Sequence, residues 1–428
     1  MKKVIVVGAG LAGVEATYFL INKGIKVDLY EQRPFKTTGA HHTDKFAELV
    51  CSNSLKSNKL DNACGLLKEE MRIMHSLTMQ IAEQTKVPSG NALSVDRDLF
   101  ASKITELIKN NPLVTFHNEE FYDFNQDAFI IVTTGPLSSK KIIDNLENIT
   151  EEKMFSFFDA CAPIVEKSSI DFDKAYFKSR YEQGDNSYIN CAMNKEEYEK
   201  FYQALISAEV VDLHDFDKSY FEGCMPIEVL AKRGEKTLRY GPLKPMGLRK
   251  TPDHRPSAVV QLRQDNVAGT LYNIVGFQTN LTFQEQKRVF SLIPGLENAK
   301  FVRYGLMHRN TYICAPKHLN DDLSLKKKEN IFIAGQLSGV EGYVESAVTG
   351  IIVANFVYRK LLGKETLVPP INTMIGSLLN YLRLCSPLHF SPMNANFGIL
   401  IHDSKIEKTI LAEQALASIK EWWVQVNE

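Results

Sequence analysis

Two cysteines stand in settings that invite chemistry. Cys51 lies in Glu48-Leu49-Val50-Cys51-Ser52-Asn53-Ser54, and Cys224 lies in Phe221-Glu222-Gly223-Cys224-Met225-Pro226-Ile227-Glu228. An unshifted thiol, with a pKa of about 8.5, is only roughly 3% thiolate at pH 7. A catalytic cysteine therefore needs a nearby cation, base or helix N-terminus. Residue types alone leave each open between a reactive thiol and a small buried hydrophobe. Cys161, Cys191, Cys314 and Cys385 carry a weaker signal, and Cys64, before Gly65-Leu66-Leu67, reads as helix packing. His41-His42 offers no third ligand, and adjacent side chains diverge, so no metal site is expected. Lys232, Arg233, Lys236, Arg239, Lys244, Arg249 and Lys250 place seven cations within 19 residues around Tyr240. Such a run is either a track for an RNA backbone or a solvated surface.

The element that must position these groups is the N-terminal stretch. An apolar run, Val4-Ile5-Val6-Val7, predicts a buried parallel strand, and Val14, Tyr18 and Ile21 recur at helical spacing after it. Between them lies Gly8-Ala9-Gly10-Leu11-Ala12-Gly13. In this fingerprint the first glycine permits the tight turn, the second lets a pyrophosphate approach the backbone, and the third lets helix and strand pack closely. The helix N-terminus favours the phosphates. Glu31 follows Val27-Asp28-Leu29-Tyr30, 18 positions after Gly13, where a carboxylate accepts from ribose hydroxyls. The motif does not itself separate FAD from NAD. Its N-terminal position, with further flavin-type segments downstream, favours FAD.

The 428 residues suffice for two or three domains, and 44% hydrophobic and 24% charged residues are ordinary for a globular protein. The formal net charge of −1 requires any nucleic-acid contact to come from a local basic face. A strand beginning at residue 2 leaves no room for a signal peptide, and no apolar run reaches a membrane span. Seven scattered cysteines without a CxxC pair fit a reducing cytoplasm.

Along the chain, residues 33–58 read as a loop long enough to be functional. Leu67, Met71, Met74 and Ile81 predict one helix through about residue 84. Asp96-Arg97-Asp98 opens another, with Leu99, Ile104, Leu107 and Ile108 as its apolar face. Strands are expected at 113–116 and 129–132, the second ending in Thr133-Thr134-Gly135-Pro136. The fold class is α/β: a Rossmann-type FAD-binding domain of the glutathione-reductase kind, in two parts (1–138 and 325–428), with an inserted α+β substrate domain at 139–324. Strands are expected within the insert at 259–263 and 272–277. The first fold resumes with Asn330-Ile331-Phe332-Ile333-Ala334-Gly335, where Gly335 and Gln336 would meet the cofactor before a helix from Val344 to Leu361. A last helix, 405–424, is expected to pack through Ile406, Ile410, Ile419 and Trp423.

The long strings carry a more specific signal. Gly8–Gly13, the segment Ala40-His41-His42-Thr43-Asp44-Lys45 continuing through Ser54, the Cys224 motif, Gln261–Asn266, Tyr304–Tyr312 and Gly339-Val340-Glu341-Gly342-Tyr343-Val344-Glu345-Ser346 resemble the folate- and FAD-dependent tRNA (uracil-5-)-methyltransferase family of bacteria. The resemblance runs from residue 1 to about residue 400. It implies that methylenetetrahydrofolate donates a carbon, that NAD(P)H reduces through FAD, and that 5-methyluridine forms in the tRNA T-loop. Uracil C5 is a poor nucleophile until a thiolate adds to C6, so covalent catalysis is required. The two family cysteines map onto Cys51 and Cys224. Cys224 is the expected C6 nucleophile, and Cys51 the general base or alternate nucleophile. Tyr343 resembles a family tyrosine beside the flavin. Ala192, Asn280 and Cys314-Ala315 depart from the family pattern. They keep open the same chemistry on a uridine of large-subunit (23S) ribosomal RNA. A flavoprotein reductase without an RNA substrate and an FAD-retaining scaffold are readings of other classes, although neither requires the cysteine motifs. Oligomeric state is not legible.

Overall fold

The computed structural model describes residues 2–182, 186–211, 225–400 and 406–427. The chain opens with β1 (Lys3–Val7), α1 (Leu11–Asn22) and β2 (Val27–Tyr30). After a long loop come β3 (Ser54–Ser57), α2 (Ala63–Ile73), α3 (Leu77–Gln84), β4 (Lys86–Val87), β5 (Ala92–Val95), α4 (Arg97–Lys109), β6 (Val114–His117), β7 (Ala128–Val132) and α5 (Lys140–Thr150). A second region holds β8 (Phe155–Ala160), β9 (Ile164–Glu166), β10 (Tyr176–Phe177), β11 (Ile189–Met193), α6 (Lys195–Ile206), α7 (Ile227–Lys232), α8 (Glu235–Tyr240), β12 (Ala258–Gln264), β13 (Leu271–Ile274), α9 (Phe283–Phe290), β14 (Phe301–Arg303) and β15 (Met307–Tyr312). The rest is α10 (Ala315–His318), β16 (Ser324–Leu325), β17 (Lys328–Ile333), α11 (Tyr343–Leu361), α12 (Met374–Leu384) and α13 (Lys408–Asn427).

The first sheet has the order β16-β17-β7-β1-β2-β6. From β17 to β6 its pairings are parallel. Parallel strands covered on both faces must be apolar throughout, and Val4, Ile5 and Val6 are fully buried. Helices α1 and α11 pack closely because α11 carries a glycine at the crossing. A Cβ on Gly350 would lie 2.1 Å from the Ala12 carbonyl oxygen.

The second sheet, β10-β11-β12-β13-β9-β14, is antiparallel. Its core draws on residues from Val165 to Ala299, including Phe201, Phe277 and Phe290. Ile142, Leu146, Phe157, Tyr312 and Ile313 pack with the first core instead. The antiparallel pair β8–β15 forms the double connection between the two bodies.

Three helix expectations are corrected. The helix foreseen through residue 84 is two, because His75 takes a positive φ of 58° and Ser76 caps α3 by accepting from Met79 N. Buried Glu15 then accepts from Leu77 N (3.0 Å) and Thr78 N (2.7 Å), a long-range contact that apolar periodicity does not register. In α4 the buried face is Phe100, Ala101, Ile104 and Ile108, with Leu99 and Leu107 exposed. In α13 it is Leu411, Ala412, Ala415, Ile419, Trp422 and Val426, with Ile410 exposed. Trp422 turns inward because its indole N–H donates to Leu367 O at 3.2 Å. Among the described residues, no helix is long and apolar enough to cross a membrane.

Candidate active site

The glycine turn between β1 and α1 divides its labour by sterics. Gly8 has a φ of +100°, and a Cβ there would meet Thr133 O at 2.9 Å. On Gly13 a Cβ would lie 1.9 Å from Gly8 O, so this glycine sets the helix–strand distance. On Gly10 it would meet only Thr133 O, at 3.8 Å, and Gly10 lines a cleft. Gly10 is also the N-cap of α1 and supplies no side-chain cap, so the first-turn N–H groups face that cleft at the positive end of the helix dipole. Leu11 and Ala12 line the same cleft, as do Gly335, Gln336 and Tyr343. Gly335 reaches it through a positive φ of 76°.

Glu31 sits at the end of β2, as the fingerprint requires. One carboxylate oxygen accepts from Ala9 N at 3.0 Å, and the other accepts from Arg33 N and Nε, both at 3.1 Å. Burial alone would raise its pKa, but the Arg33 hydrogen bonds and charge prevail and hold it below the usual carboxylate range. The group thus remains an ionised acceptor at the cleft wall. A cradle of small residues, a helix N-terminus without a side-chain cap and a buried carboxylate fit the diphosphate and ribose of a dinucleotide.

Next to Val50 and Tyr343 of the cleft lining lies Cys51. Its backbone N–H donates to Tyr343 Oη at 2.6 Å, and Ser52 N donates to the same oxygen at 3.1 Å. Burial, together with the neighbouring Cys51 thiol, pushes the Tyr343 phenol well above its ordinary pKa, so it stays protonated. Arg97, the first residue of α4, donates to Leu49 O (2.6 Å) and Cys51 O (3.4 Å) and forks onto Asp265 at 3.0 and 3.1 Å. From β12, Arg263 donates to Ser52 Oγ (2.6 Å) and Asn53 Oδ1 (3.1 Å). Asn53 Nδ2 donates in turn to Val95 O (3.0 Å) and Gln264 O (2.9 Å). The long loop is thereby ordered by both bodies at once, and Cys51 sits at their seam.

Two site residues escaped the sequence reading. The buried Cys161 sulfur lies 3.1 Å from His308 Nε2 and donates to Val50 O at 3.2 Å, while the Cys51 thiol donates to Ala160 O at 3.6 Å. The signal available was the position of His308 inside the Tyr304–Tyr312 string. Nothing near Cys161 marked it, because its partners come from distant segments. Cys224, the expected C6 nucleophile, lies outside the described residues, as do Phe221, Glu222 and Gly223. The segment after it is anchored: Ile227 N donates to Gln278 O at 2.7 Å. Buried Glu228 accepts from Thr279 Oγ1 and Asn280 N, both at 2.8 Å. The departures from the family pattern have internal roles. Asn280 also donates to Val211 O at 3.0 Å, Ala192 sits within β11, and Cys314 precedes α10 without a side-chain capping bond. His41 is held by Thr38 Oγ1 at 2.6 Å, and burial beside Arg33 pushes its pKa down to about 4.

The parallel sheet, glycine turn and terminal carboxylate define a Rossmann-type dinucleotide-binding protein. The profile of the family described as Glucose inhibited division protein A matches residues 3–365. A solved structure of Aquifex aeolicus GidA superposes with a TM-score of 0.72 at 16% identity, covering 99% of this chain and 73% of the other, and so shares the fold. The methylenetetrahydrofolate--tRNA-(uracil-5-)-methyltransferase TrmFO of Listeria welshimeri is 54% identical over 437 residues, covering 99% of this chain and all of the relative. That of Lactobacillus gasseri is 55% identical over 402 residues, covering 94% and 92%. The chain belongs to the methylenetetrahydrofolate–tRNA-(uracil-5-)-methyltransferase family, within the broader Glucose inhibited division protein A family.

Proposed function

We propose that this protein methylates uridine C5 in the T-loop of tRNA, with methylenetetrahydrofolate as carbon donor. The carrying observation is the seam itself: Cys51 is held by Tyr343 and Arg97, and the adjoining Ser52 by Arg263 from the insert. FAD, held along the Gly8–Gly13 turn, Glu31, Gly335 and Gln336, supplies the electrons that reduce the transferred carbon to a methyl group. NAD(P)H is the reductant in this reading.

Cys224 adds through sulfur to uracil C6, which makes C5 nucleophilic. Cys51 removes the C5 proton after the carbon is attached, and the Cys224–C6 bond then breaks. Tyr343 holds the Cys51 backbone through its phenol oxygen. Exposed Lys232, Arg233, Lys236, Arg249 and Lys250, with Tyr240 79% exposed beside them, form the basic face for the RNA backbone. We place the protein in the cytoplasm, where tRNA and reduced cysteines coexist.

The test is methyl incorporation from labelled methylenetetrahydrofolate with FAD and NADPH, using a tRNA transcript and a 23S rRNA fragment in parallel. Label in tRNA alone is expected. Label in neither RNA, with the flavin still reduced, would turn the reading to a reductase. Trapping on 5-fluorouracil RNA tests the cysteine roles, because an undiminished adduct in Cys224→Ala refutes its assignment.

A further inference from the structure

Cys51 and Cys161 cross each other at the seam. The Cys51 thiol donates at 3.6 Å to Ala160 O, the carbonyl just before Cys161. The Cys161 thiol donates at 3.2 Å to Val50 O, the carbonyl just before Cys51. Each sulfur thus lies against the peptide unit that leads into the other cysteine, which sets the two side chains beside each other. Both backbones are pinned there. Cys51 N donates to Tyr343 Oη at 2.6 Å, Arg97 donates to Cys51 O at 3.4 Å, and Cys161 N donates to Leu306 O at 2.8 Å. Cys51 is half-buried, whereas Cys161, directly after β8, is fully buried.

We propose that Cys51 and Cys161 are a redox-modification site, closing to a reversible disulfide when the site meets hydrogen peroxide. The Cys51 sulfur, the more accessible of the two, attacks one oxygen of the peroxide. The O–O bond breaks, Cys51 becomes a sulfenic acid, and the thiol proton leaves with the other oxygen as water. The Cys161 sulfur then attacks the Cys51 sulfur, so the S–S bond forms as the S–O bond breaks. His308 Nε2, 3.1 Å from the Cys161 sulfur, takes the Cys161 proton. It returns that proton to the leaving hydroxide, which departs as a second water. Two thiols are oxidised to one disulfide, and one peroxide is reduced to two waters. A dithiol reductant restores both thiols by exchange. Cys161 in this way keeps Cys51 from the irreversible sulfinic state.

The surroundings agree with this order of events. The neighbouring Cys51 thiol, with His308 and Arg303, outweighs burial and holds the Cys161 thiol well below its ordinary pKa, so Cys161 gives up its proton readily to become the resolving nucleophile. Burial pushes the Cys64 thiol up to about 12 and raises those of Cys191 and Cys314, which makes them poor nucleophiles. The disulfide ties the long loop to the residue after β8 and withdraws the Cys51 thiol from any substrate. The switch rests on the proposed methylation only for the activity that it turns off.

The experiment treats the FAD-loaded protein with a small excess of hydrogen peroxide, caps the remaining thiols with iodoacetamide, and reads the digest by non-reducing peptide mass spectrometry. Wild type, Cys161→Ala and His308→Gln are compared, with flavin retention as the fold check. Wild type is expected to yield a linked Cys51–Cys161 peptide pair that dithiothreitol removes, and His308→Gln to form the same link more slowly. In Cys161→Ala the same dose should leave Cys51 as a sulfenic acid, captured by dimedone at least about fivefold more than in wild type, and later as a sulfinic acid that dithiothreitol does not reverse. Cys385, half-exposed with its thiol on Ser386 O at 3.7 Å, is the reference whose labelling stays the same in all three proteins. Methylation lost to peroxide should return with dithiothreitol in wild type and not in Cys161→Ala. The proposal is overturned by wild type without the Cys51–Cys161 pair, by Cys51 linked to Cys224 instead, or by equal dimedone capture in wild type and Cys161→Ala. A Cys51–Cys161 link with methylation untouched keeps the disulfide and overturns the catalytic role of Cys51.

Discussion

Tyr343 Oη accepts hydrogen bonds from two successive amides, Cys51 N at 2.6 Å and Ser52 N at 3.1 Å, across 292 and 291 positions of sequence. The phenol stands at the first residue of α11, so a rigid helix fixes where the Cys51 loop can lie. Removing the oxygen strands two amides, each worth about 1 kcal/mol. Tyr343→Phe is therefore expected to lower kcat for tRNA methylation roughly tenfold or more while flavin content stays at the wild-type level. Unchanged turnover would remove Tyr343 from the positioning of Cys51.

The glycine turn predicts two contrasting variants. Gly13→Ala drives a methyl group into Gly8 O, an overpacking that costs about 1–3 kcal/mol. Its melting temperature should fall and its flavin should be lost. Gly10→Ala has room within the protein but takes space from the cofactor. It should melt like wild type yet retain FAD at least tenfold more weakly, as read by flavin absorbance after dialysis.

Arg97 and Asp265 form a largely buried two-point ion pair between the start of α4 and the residue that follows β12. Breaking a buried pair from one side leaves a charge without its counterion, at a cost of about 3–5 kcal/mol. Arg97→Met should destabilise the protein by that order in urea unfolding and loosen the Cys51 loop, since Leu49 O and Cys51 O lose their donor. Arg97→Met with Asp265→Leu should recover stability without recovering methylation.

Glu70 gives a pH dependence. It is fully buried and accepts from Met374 N (2.7 Å) and Ile375 N (2.9 Å) at the start of α12. Burial outweighs those two donors and pushes its pKa up to about 8, against about 4.3 in an unfolded chain. The folded state therefore holds this proton more tightly. The associated stability is complete below the unfolded value and is lost as pH rises through the folded one. Glu70→Gln, which cannot titrate, should have the same stability at pH 5 and pH 8, whereas wild type should lose on the order of 3 kcal/mol between them. Parallel urea curves at both pH values for the two proteins would refute this.

The sequence alone determined the β1–α1–β2 unit, the cofactor turn and the strings that mark the family. These rest on local rules: an apolar run for a strand covered on both faces, glycines where backbone meets backbone, a carboxylate at a strand end. Tertiary structure alone decided the rest. The Met74–Ser76 break depends on Glu15, distant in sequence, and the faces of α4 and α13 depend on what packs against them. Cys161 and His308 were not separable from other buried side chains in the sequence, because a thiol acquires chemistry from the donors and acceptors that the fold brings within about 3 Å. Here those come from two distant segments, the long loop at Val50 and β15 at His308, and only the closure of β8 against β15 beside the long loop brings them together.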